Sequence, residues 1–358
     1  MMKKILMILA LMGTLTAGAQ RMDDVTEHSK YIKVVDEYVP APGQFINTMP
    51  PYEEGDDAYK MAQKCTECLA NNKKDMVCLG GYGGYITFHF DHSIANVEGQ
   101  RDFFIEGNAI KDATGAYEGG SSEPGIVMVS QDVNMNGIAD DPWYELSGSA
   151  DQDSIGKVLY DYEIVYSQNP MGDIPWTDNK GHSGVIERLE RYSVFTHPQE
   201  FYPLWLEDKL TFSGTLLPNN AINTMPSFQY GNYILMFLRE GYVDNKPNTD
   251  SEANSFDISW AVDANRQSVN LQFIDFIRVY TAVNQKCGRL GETSTEVLGA
   301  EDLHLDTSIQ KIKDALAGVE SIKKETTING ELYDLQGRKI KAPGKGLYIK
   351  NGKKYIIK

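Results

Sequence analysis

The fold of this chain is set by the stretch Gly125-Ile-Val-Met-Val-Ser-Gln-Asp-Val-Asn-Met-Asn-Gly-Ile-Ala-Asp-Asp-Pro-Trp-Tyr-Glu-Leu-Ser147. Its two ends, residues 125–130 and 143–147, contain alternating β-branched and aromatic residues, which is typical of strands. The residues between them are rich in Asn and Asp and include a glycine, a composition that favours tight turns. The stretch therefore predicts a β-hairpin, and we interpret the rest of the chain as an all-β protein built around it.

The loop of this hairpin has the oxygen pattern of a calcium-binding loop. In an EF-hand loop, side-chain oxygens stand at alternate positions, a glycine allows a sharp turn, and a backbone carbonyl follows it. The predicted calcium ligands are Asp132, Asn134, Asn136, the carbonyl of Ile138, Asp140 and Asp141. Trp143 replaces the usual bidentate glutamate and both flanks are strands, so we expect a calcium-stapled hairpin and no helix–loop–helix unit. An Asn/Asp-rich turn that binds no metal is the alternative.

The first nineteen residues have the pattern of a signal peptide. A basic Met1-Met-Lys-Lys is followed by an apolar run from Ile5 to Leu15 and by the small residues Ala17-Gly-Ala19. Such a segment directs export and is then removed. No other apolar run is long enough to span a bilayer. We therefore expect an exported protein that lies at the cell surface, on the outer-membrane exterior, or is secreted, and that does not cross a membrane.

Composition narrows the classes of partner. The formal net charge of −16 and the pI near 4.8 argue against nucleic acid and anionic membrane surfaces as partners. The 20 Tyr, 13 Phe and 32 Gly suit a turn-rich β protein with aromatic binding faces. The four cysteines, Cys65, Cys68, Cys78 and Cys287, are too few for a disulfide scaffold, and zinc at the CxxC pair is not expected. One or two disulfides of undetermined pairing remain open.

The order of segments predicts one large β domain with a small C-terminal addition. Many short strands without amphipathic helices between them predict a jelly-roll-like β-sandwich over residues 76–304. The expected flanking segments are a signal peptide at 1–19, an extended lead-in with a short helix at 20–75, a helical or polar linker at 305–327, and a small β module at 328–358.

Aromatic residues on glycine-rich or polar turns are the candidates for a ligand-binding face. Aromatic planes hold flat ligands while a few polar groups fix their orientation. The predicted ligand-binding residues are Tyr82, Tyr85, Trp143, Trp176, Asp178 and Asn179. Trp205 and Trp260 stand in or beside strand-like runs, so we expect them in the core.

Further acidic residues leave two interpretations open. A late polar stretch forms either a second oxygen-rich pocket or a solvated loop; its residues are Asp244, Asn245, Asn248, Asp250 and Asp257. Two of the carboxylates Glu123, Glu145 and Glu292 could act as a glycosidase pair, but only their separation in space would decide this. No sequence motif of a nucleophilic or metal-dependent hydrolase is present, so a binding protein is preferred over an enzyme, and no catalytic residue is predicted.

The C-terminal segment differs from the rest in charge and motif. Residues 321–358 carry ten Lys and Arg against three Asp and Glu. The motifs Leu332-Tyr-Asp-Leu-Gln-Gly-Arg338 and Lys345-Gly-Leu-Tyr-Ile-Lys-Asn-Gly-Lys-Lys354 resemble the C-terminal sorting domain of the type IX secretion system of Bacteroidetes. The resemblance implies contact with that secretion machinery, passage across the outer membrane, and then surface attachment or release. A β appendage without a transport role is the alternative.

The main domain also resembles a known group. The motifs Leu79-Gly-Gly-Tyr-Gly-Gly-Tyr-Ile-Thr-Phe88, Glu123-Pro-Gly-Ile-Val-Met-Val-Ser130, Asp141-Pro-Trp-Tyr-Glu-Leu146 and Gly291-Glu-Thr-Ser-Thr-Glu296 resemble a family of Bacteroidetes cell-surface proteins. Some members are encoded beside corrinoid (vitamin B12) uptake systems. The resemblance implies capture of a nutrient, a corrinoid or a glycan, and its transfer to an outer-membrane transporter. A calcium-dependent glycan-active enzyme on the same β-sandwich scaffold is the alternative function.

Overall fold

The structure is a computed structural model that describes residues 28–170, 172–188, 200–229 and 231–305, and the C-terminal segments 332–333, 339–340, 346–350 and 353–357. The predicted signal peptide and residues 306–327 of the predicted linker lie outside the described residues. No helix of the described segments is long and apolar enough to cross a membrane.

The described chain is mostly strand, with 38% strand against 7% helix, and this confirms the all-β class. The helical elements are α1 (Ala58–Leu69) and three short 3-10 helices, η1 (Ala70–Asn72), η2 (Ile258–Trp260) and η3 (Gly288–Leu290). The strands are β1 (Val34–Val39), β2 (Val77–Cys78), β3 (Tyr85–Ala95), β4 (Phe103–Glu106), β5 (Gly119–Gly120), β6 (Gly125–Ser130), β7 (Trp143–Leu146), β8 (Leu159–Ser167), β9 (Ile174–Asp178), β10 (Ser183–Ile186), β11 (Lys209–Leu216), β12 (Ala221–Asn223), β13 (Tyr233–Met236), β14 (Ser255–Phe256), β15 (Ala261–Val262), β16 (Phe273–Thr281), β17 (Glu296–Val297), β18 (Gly299–Asp302), β19 (Leu332–Tyr333), β20 (Lys339–Ile340), β21 (Gly346–Lys350) and β22 (Lys353–Ile357).

A six-stranded antiparallel sheet forms the centre, with the strand order β1-β3-β16-β6-β7-β15. Residues alternate between its faces, as a pleated strand requires. Val127 and Val129 of β6 lie in one buried cluster, whereas Ile126 lies in a second cluster with Tyr162 and Phe212. Tyr162 and Phe212 belong to β8 and β11 of a four-stranded sheet ordered β10-β9-β8-β11. The two sheets thus share a core, which is the sandwich-like arrangement that the sequence predicts; the described residues form no closed barrel.

The predicted lead-in is part of this domain, so the boundary at residue 76 is wrong. β1 is the edge strand of the central sheet and pairs antiparallel with β3. The predicted helix is present as α1, and Asp57 caps it by accepting a hydrogen bond from the Lys60 N–H at 2.8 Å. Met61, Cys65 and Leu69 on one face of α1 pack into the same cluster as Val127. β1 and α1 were not predicted to belong to the domain, because the segment between them is rich in proline and resembles a linker.

Between β14 and β15 the chain forms the short helix η2, which Asp257 caps by accepting a hydrogen bond from the Ser259 N–H at 2.8 Å. The four cysteines are all free, and three of them are buried, so no disulfide holds the domain. The described C-terminal strands form an antiparallel sheet ordered β20-β19-β21-β22, the β module expected at that end of the chain.

Candidate functional site

The predicted calcium loop connects β6 and β7 as a hairpin, in which Ser130 pairs with Trp143. Both carboxylate oxygens of Asp132 accept backbone hydrogen bonds, from Asn136 at 3.1 Å and from Gly137 at 2.8 Å. Gly137 has a φ of +73°, which the turn requires and which a residue with a Cβ adopts at a cost. Asp132 is therefore the residue around which the loop is wound.

The other predicted ligands meet on the far side of this loop. The side-chain amides of Asn134 and Asn136 both lie at hydrogen-bond distance from Asp140, at 3.1 Å in each case. Asp141 accepts a hydrogen bond from the Val133 N–H at 3.0 Å. The nitrogen and oxygen of an amide exchange places by a simple rotation, which would turn both asparagine oxygens towards the same centre.

Two features limit the likeness to a filled calcium loop. The carbonyl of Ile138 already accepts a hydrogen bond from the Asp140 N–H at 2.8 Å. The carboxylates of Asp132, Asp140 and Asp141 do not form a group with all ligand atoms within 4.8 Å, unlike two other clusters among the described residues. The loop thus collects the predicted oxygen donors, in an arrangement more open than those two clusters.

A groove of about 300 Å³ begins where the chain leaves this loop. Trp143 and Glu145, two residues apart on β7, point to the same side of the sheet and line it. The remaining lining residues are Met128, Tyr160, Asp161, Ser213, Gly214, Thr215, Val262, Asp263, Ala264, Arg266 and Tyr280. The groove thus lies between the central sheet, the β8–β11 pair and the turn after β15.

Glu145 and Arg266 form the polar centre of the groove. The Arg266 guanidinium donates from Nη1 to Glu145 Oε1 at 2.6 Å and from Nη2 to the Ser147 hydroxyl at 3.1 Å. The Thr215 hydroxyl donates to the other oxygen of Glu145 at 2.7 Å. The same guanidinium lies 4.6 Å from the centre of the Tyr160 ring, a cation–π distance. Burial would lower the pKa of Arg266, but the Glu145 carboxylate outweighs it and raises that pKa.

A row of side chains, all polar except Met128, extends from the groove across the sheet face. Register places Glu37, Thr87, Arg278, Met128 and Glu145 in one line over five neighbouring strands. Arg278 donates to Thr87 at 2.9 Å and to Glu37 at 2.6 Å.

Two predicted ligand residues flank this row. The Arg278 guanidinium lies 4.4 Å from the ring centre of Tyr85 and 4.4 Å from that of Trp143. Tyr85 and Trp143 therefore form one half-buried aromatic patch with an arginine between them, next to the groove.

Tyr82 is not on this face. Its side chain has no exposed surface and packs edge-on against Tyr162, with ring centres 4.9 Å apart. Burial raises the pKa of its hydroxyl, which has no hydrogen-bond partner. The expectation that Tyr82 contacts a ligand is corrected on this ground: the surrounding glycines serve close chain packing, and a Cβ on Gly83 would lie 2.2 Å from Phe212.

The remaining predicted ligand residues lie on the β9–β10 hairpin and do not line the groove. Trp176 lines a smaller pocket of about 100 Å³ together with Glu292. Asp178 accepts hydrogen bonds from the backbone N–H of Lys180 at 2.9 Å and of His182 at 2.7 Å, so its role is to hold the turn. Asn179 donates to the Asp161 carbonyl at 2.8 Å. Trp205 and Trp260 are half-buried and pack against the main core, as expected.

A second acidic cluster lies inside the domain and was not predicted as a unit. Ligand atoms of Glu123, Asp244 and Glu296 all lie within 4.8 Å of one another. Asp244 Oδ1 accepts from the N–H groups of Asn108 at 2.6 Å and Ala109 at 2.8 Å. Asp244 Oδ2 accepts from the Glu296 N–H at 2.9 Å. The cluster therefore joins four distant chain segments.

Burial dominates the protonation of this cluster. It raises the pKa of Glu123 well above its usual value, and the charges of Glu296 and Asp244 raise it further. Burial raises the pKa of Glu296 to about 7, although hydrogen bonds from Cys78, Ser294, Asn108 and Glu123 offset part of that shift. Burial thus disfavours the charged forms of both Glu123 and Glu296.

The late acidic stretch of the sequence does not form the single pocket that was one of its two interpretations. Asp244 and Asn245 are buried, and the Asn245 carboxamide oxygen accepts from the Leu238 N–H at 2.8 Å. Asn248 bonds the backbone of Gly107, Asp250 is exposed, and Asp257 caps η2. Glu296 gave no signal in the sequence, because a single glutamate in a Ser- and Thr-rich strand resembles any solvent-facing residue.

Comparison with models of protein families gives no match to this chain, and comparison with curated proteins gives no significant match either.

Proposed function

We propose that this protein is an exported surface protein that captures a polar, ring-shaped nutrient, a glycan or a corrinoid, in the groove beside Trp143. The observation that carries the proposal is the groove itself, in which aromatic rings and charged groups meet. Trp143 and Tyr160 offer ring surfaces, while Glu145, Asp161 and Asp263 offer hydrogen-bond acceptors. Small-molecule sites combine an apolar wall with a few directed polar groups in this way.

The volume of the groove sets how each ligand class would be held. About 300 Å³ is at the lower end of small-molecule sites. One or two sugar rings fit inside, with hydroxyls directed at the carboxylates. A corrin ring is larger than the groove and would rest on the patch of Tyr85, Arg278 and Trp143, with one edge inserted. A corrin ring would therefore contact Arg278, whereas a sugar inside the groove would not need that contact.

Calcium is proposed as the resident cation of the β6–β7 loop. The donor set consists of carboxylates, amides and a carbonyl, which are the ligands of a hard cation. The loop is also tied to the sheet, since the Asp132 N–H donates to Asp275 Oδ2 at 2.8 Å. Because Trp143 and Glu145 follow the loop directly, a cation there would fix the start of β7 and with it one wall of the groove.

The proposed partners follow from the location. Export is supported by the N-terminal pattern, and surface delivery through the secretion machinery by the basic C-terminal motifs. An outer-membrane transporter is the proposed recipient of the captured ligand. Extracellular calcium at millimolar concentration suits a loop of the affinity expected for extracellular modules, roughly 10⁻⁴ to 10⁻³ M.

The glycan-active enzyme remains the second candidate because three carboxylates, Glu145, Asp161 and Asp263, line one groove. A glycosidase needs one carboxyl group that carries a proton and can donate it. Both oxygens of Glu145 accept hydrogen bonds, from Arg266 and from Thr215, so neither is free to carry the proton that acid catalysis donates. Release of reducing sugar from any member of a glycan panel would establish the enzyme.

The experiment that tests the proposal is calorimetric titration of the purified protein with cyanocobalamin and with a glycan panel, in millimolar calcium. Two single substitutions locate the site: Trp143→Ala removes a wall of the groove, and Trp176→Ala removes a wall of the smaller pocket. We expect Trp143→Ala to weaken binding about tenfold, equivalent to about 1.4 kcal/mol, and Trp176→Ala to leave it unchanged. The reverse result would move the site to the β9–β10 hairpin, and absence of binding to every probe would reject the proposal.

A further inference from the structure

Two histidines and an aspartate meet at the start of the described chain. His28 precedes β1, whereas Asp91 and His92 lie in the second half of β3. The ligand atoms of these three residues all lie within 4.8 Å of one another. His28 and Asp91 are partly exposed, with side-chain exposures of 35% and 28%, and the His92 side chain is 9% exposed. The cluster is thus half enclosed, with one open side.

The ligand atoms of both histidines lie close to one carboxylate oxygen. Asp91 Oδ1 lies 3.2 Å from His28 Nδ1 and 2.8 Å from His92 Nδ1. In a tetrahedral zinc site with bonds of about 2.1 Å, neighbouring ligand atoms lie about 3.3 Å apart. An opening of a few tenths of an ångström at the His92 side would therefore accommodate the ion.

The groups behind these ligands have the arrangement that metal-binding histidines use. His92 Nε2 lies 2.7 Å from Asp302 Oδ2, whose side chain is fully buried. A carboxylate on the remote ring nitrogen fixes the orientation of the imidazole and directs its other nitrogen at a metal. Asp302 is itself held by the His304 N–H at 2.8 Å, and the second oxygen of Asp91 accepts from the Ser29 N–H at 3.1 Å. These contacts therefore hold the side chains of His92 and Asp91 in orientation before an ion binds.

We propose that His28 Nδ1, Asp91 Oδ1 and His92 Nδ1 bind a divalent transition-metal ion of the zinc class, with the fourth position open to solvent. Imidazole ligands select such ions, whereas calcium prefers oxygen. In the bound state each ring would coordinate through an unprotonated Nδ1, any proton there having passed to the solvent, and His92 would keep the proton on Nε2 for Asp302. The site is independent of the proposed calcium loop and of the groove.

The other histidine–aspartate pairs show what sets this cluster apart. His182 Nδ1 lies 2.9 Å from Asp178, and His89 Nδ1 lies 2.8 Å from Asp36. Neither pair belongs to a group of three metal-ligating side chains among the described residues. Of these three described histidine–aspartate groups, the cluster at His28 alone contains a second histidine. It also has a buried carboxylate, that of Asp302, next to the remote ring nitrogen of His92.

An ion at this site would fasten the start of the domain. The segment after His28 already contacts β18, since the Asp302 N–H donates to the Lys30 carbonyl at 2.8 Å and Lys30 pairs with Glu301. The metal would add a link from His28 to β3, so three segments would be held at one place. Ions that bind the folded state alone stabilise it in proportion to their excess over the dissociation constant.

The test uses the full chain, zinc chloride alone as the probe, and millimolar calcium to occupy the acidic loop. Calorimetry should show one zinc site in the wild type, and cobalt substitution should give the visible absorption of a tetrahedral ion. His28→Gln and Asp91→Asn should each weaken zinc at least about tenfold. Asp302→Asn, which acts through His92, should weaken it 10- to 100-fold.

His182→Gln is the matched control, because it removes a histidine from an aspartate pair without touching the cluster. It should bind zinc as the wild type does. Zinc should raise the melting temperature of the wild type and of His182→Gln, but not of His28→Gln, and the three should melt alike in chelator. Equal zinc affinity in His28→Gln and His182→Gln, or no zinc binding by the wild type, would overturn the proposal.

Discussion

The exposed loop around Asp132 and the buried cluster around Asp244 use the same kind of side chain in opposite ways. In the loop, Asp132 is buried and accepts hydrogen bonds from backbone N–H groups, whereas Asp140 is in contact with water and accepts from amide N–H groups. In the cluster, Asp244 is bonded by three backbone N–H groups, while Glu123 and Glu296 bond each other. The first group can lose its internal bonds to a cation at small cost. The second cannot open without unfolding its surroundings.

A group of acidic residues can thus form a ligand site where water reaches it, or a structural joint where the protein encloses it. A carboxylate in water is stable when charged, and a cation of fitting size replaces weak internal bonds with stronger ones. A buried carboxylate must find donors or keep a proton. We therefore assign calcium to the loop and a structural, pH-sensitive role to the cluster, and the following predictions separate the two.

Removal of Asp244 should have the largest effect. Asp244→Ala leaves the N–H groups of Asn108, Ala109 and Glu296 without an acceptor in a buried place. Each unsatisfied buried donor costs about 1–3 kcal/mol, so the loss of unfolding free energy should be about 3 kcal/mol or more. Urea unfolding measures it, with exposed Asp250→Ala as the control. A loss below about 1 kcal/mol would show that the cluster is not a joint.

The protonation of the buried cluster should make stability depend on pH. Because burial raises the pKa of Glu296 from 4.5 to about 7, the stability associated with its protonated form is present below about 4.5 and is lost as pH rises through about 7. Glu123→Gln removes one titrating group and keeps an amide donor for Glu296. We expect the free energy of unfolding to fall less between about pH 4.5 and about pH 7 in this variant.

The control for that prediction is Glu118→Gln, an exposed glutamate beside Lys111. It should follow the wild type at each pH, because an exposed charge couples weakly to folding. If the free energy of unfolding depended on pH equally in Glu123→Gln and the wild type, protonation of Glu123 would have no part in the stability of the buried cluster.

Calcium should stabilise the domain through the exposed loop, with a smaller effect. For a dissociation constant of roughly 10⁻⁴ to 10⁻³ M, calcium at ~1 mM adds about 0.4 to 1.4 kcal/mol. The melting temperature of the wild type should fall on chelation, whereas that of Asp132→Ala should not change. Asp153→Ala, a carboxylate outside the loop, should respond to chelator as the wild type does. Identical melting of the wild type with and without calcium would remove the cation from the loop.

Deletion of residues 328–358 tests delivery and should leave the two acidic clusters unaffected. We expect the truncated protein to fold, with the same response to calcium, and to remain in the periplasm, because the basic motifs would carry the sorting signal. Surface labelling of intact cells measures the outcome. Normal surface levels of the truncated protein would show that this module has no transport role.

The sequence predicted those parts of the site that depend on neighbouring residues. The β6–β7 hairpin and its acidic loop follow from alternation, glycine and closely spaced oxygens, and Trp143 follows from its place after the loop. The sequence could not separate Trp143 from Tyr82, since both stand beside glycine or polar residues and only packing buries Tyr82. Arg266, which completes the groove, lies far along the chain from Glu145 and has no motif.

Contacts between residues that are far apart in the sequence could likewise not be predicted from it. Glu123, Asp244 and Glu296 come from three separate loops and strands, and only sheet pairing brings them together. The lead-in was misjudged for a similar reason, because the prolines that follow β1 are common in linkers as well as at strand ends. A strand at a sheet edge has one bonded neighbour and therefore a weaker pattern than a central strand.

Calorimetric titration tests most directly whether the groove binds the ligand and whether calcium in the loop supports that binding. Cyanocobalamin and each member of a glycan panel are titrated, in calcium, into the wild type, Arg266→Ala and Asp132→Ala. Arg239→Ala, which changes an arginine outside the groove, is the control. The account predicts that a probe binds the wild type and Arg239→Ala equally. It further predicts about tenfold weaker binding to Arg266→Ala, and weaker binding to Asp132→Ala because the wall of the groove begins at the loop. Binding that is unchanged in Arg266→Ala and Asp132→Ala, or absent in the wild type for every probe, would contradict the account.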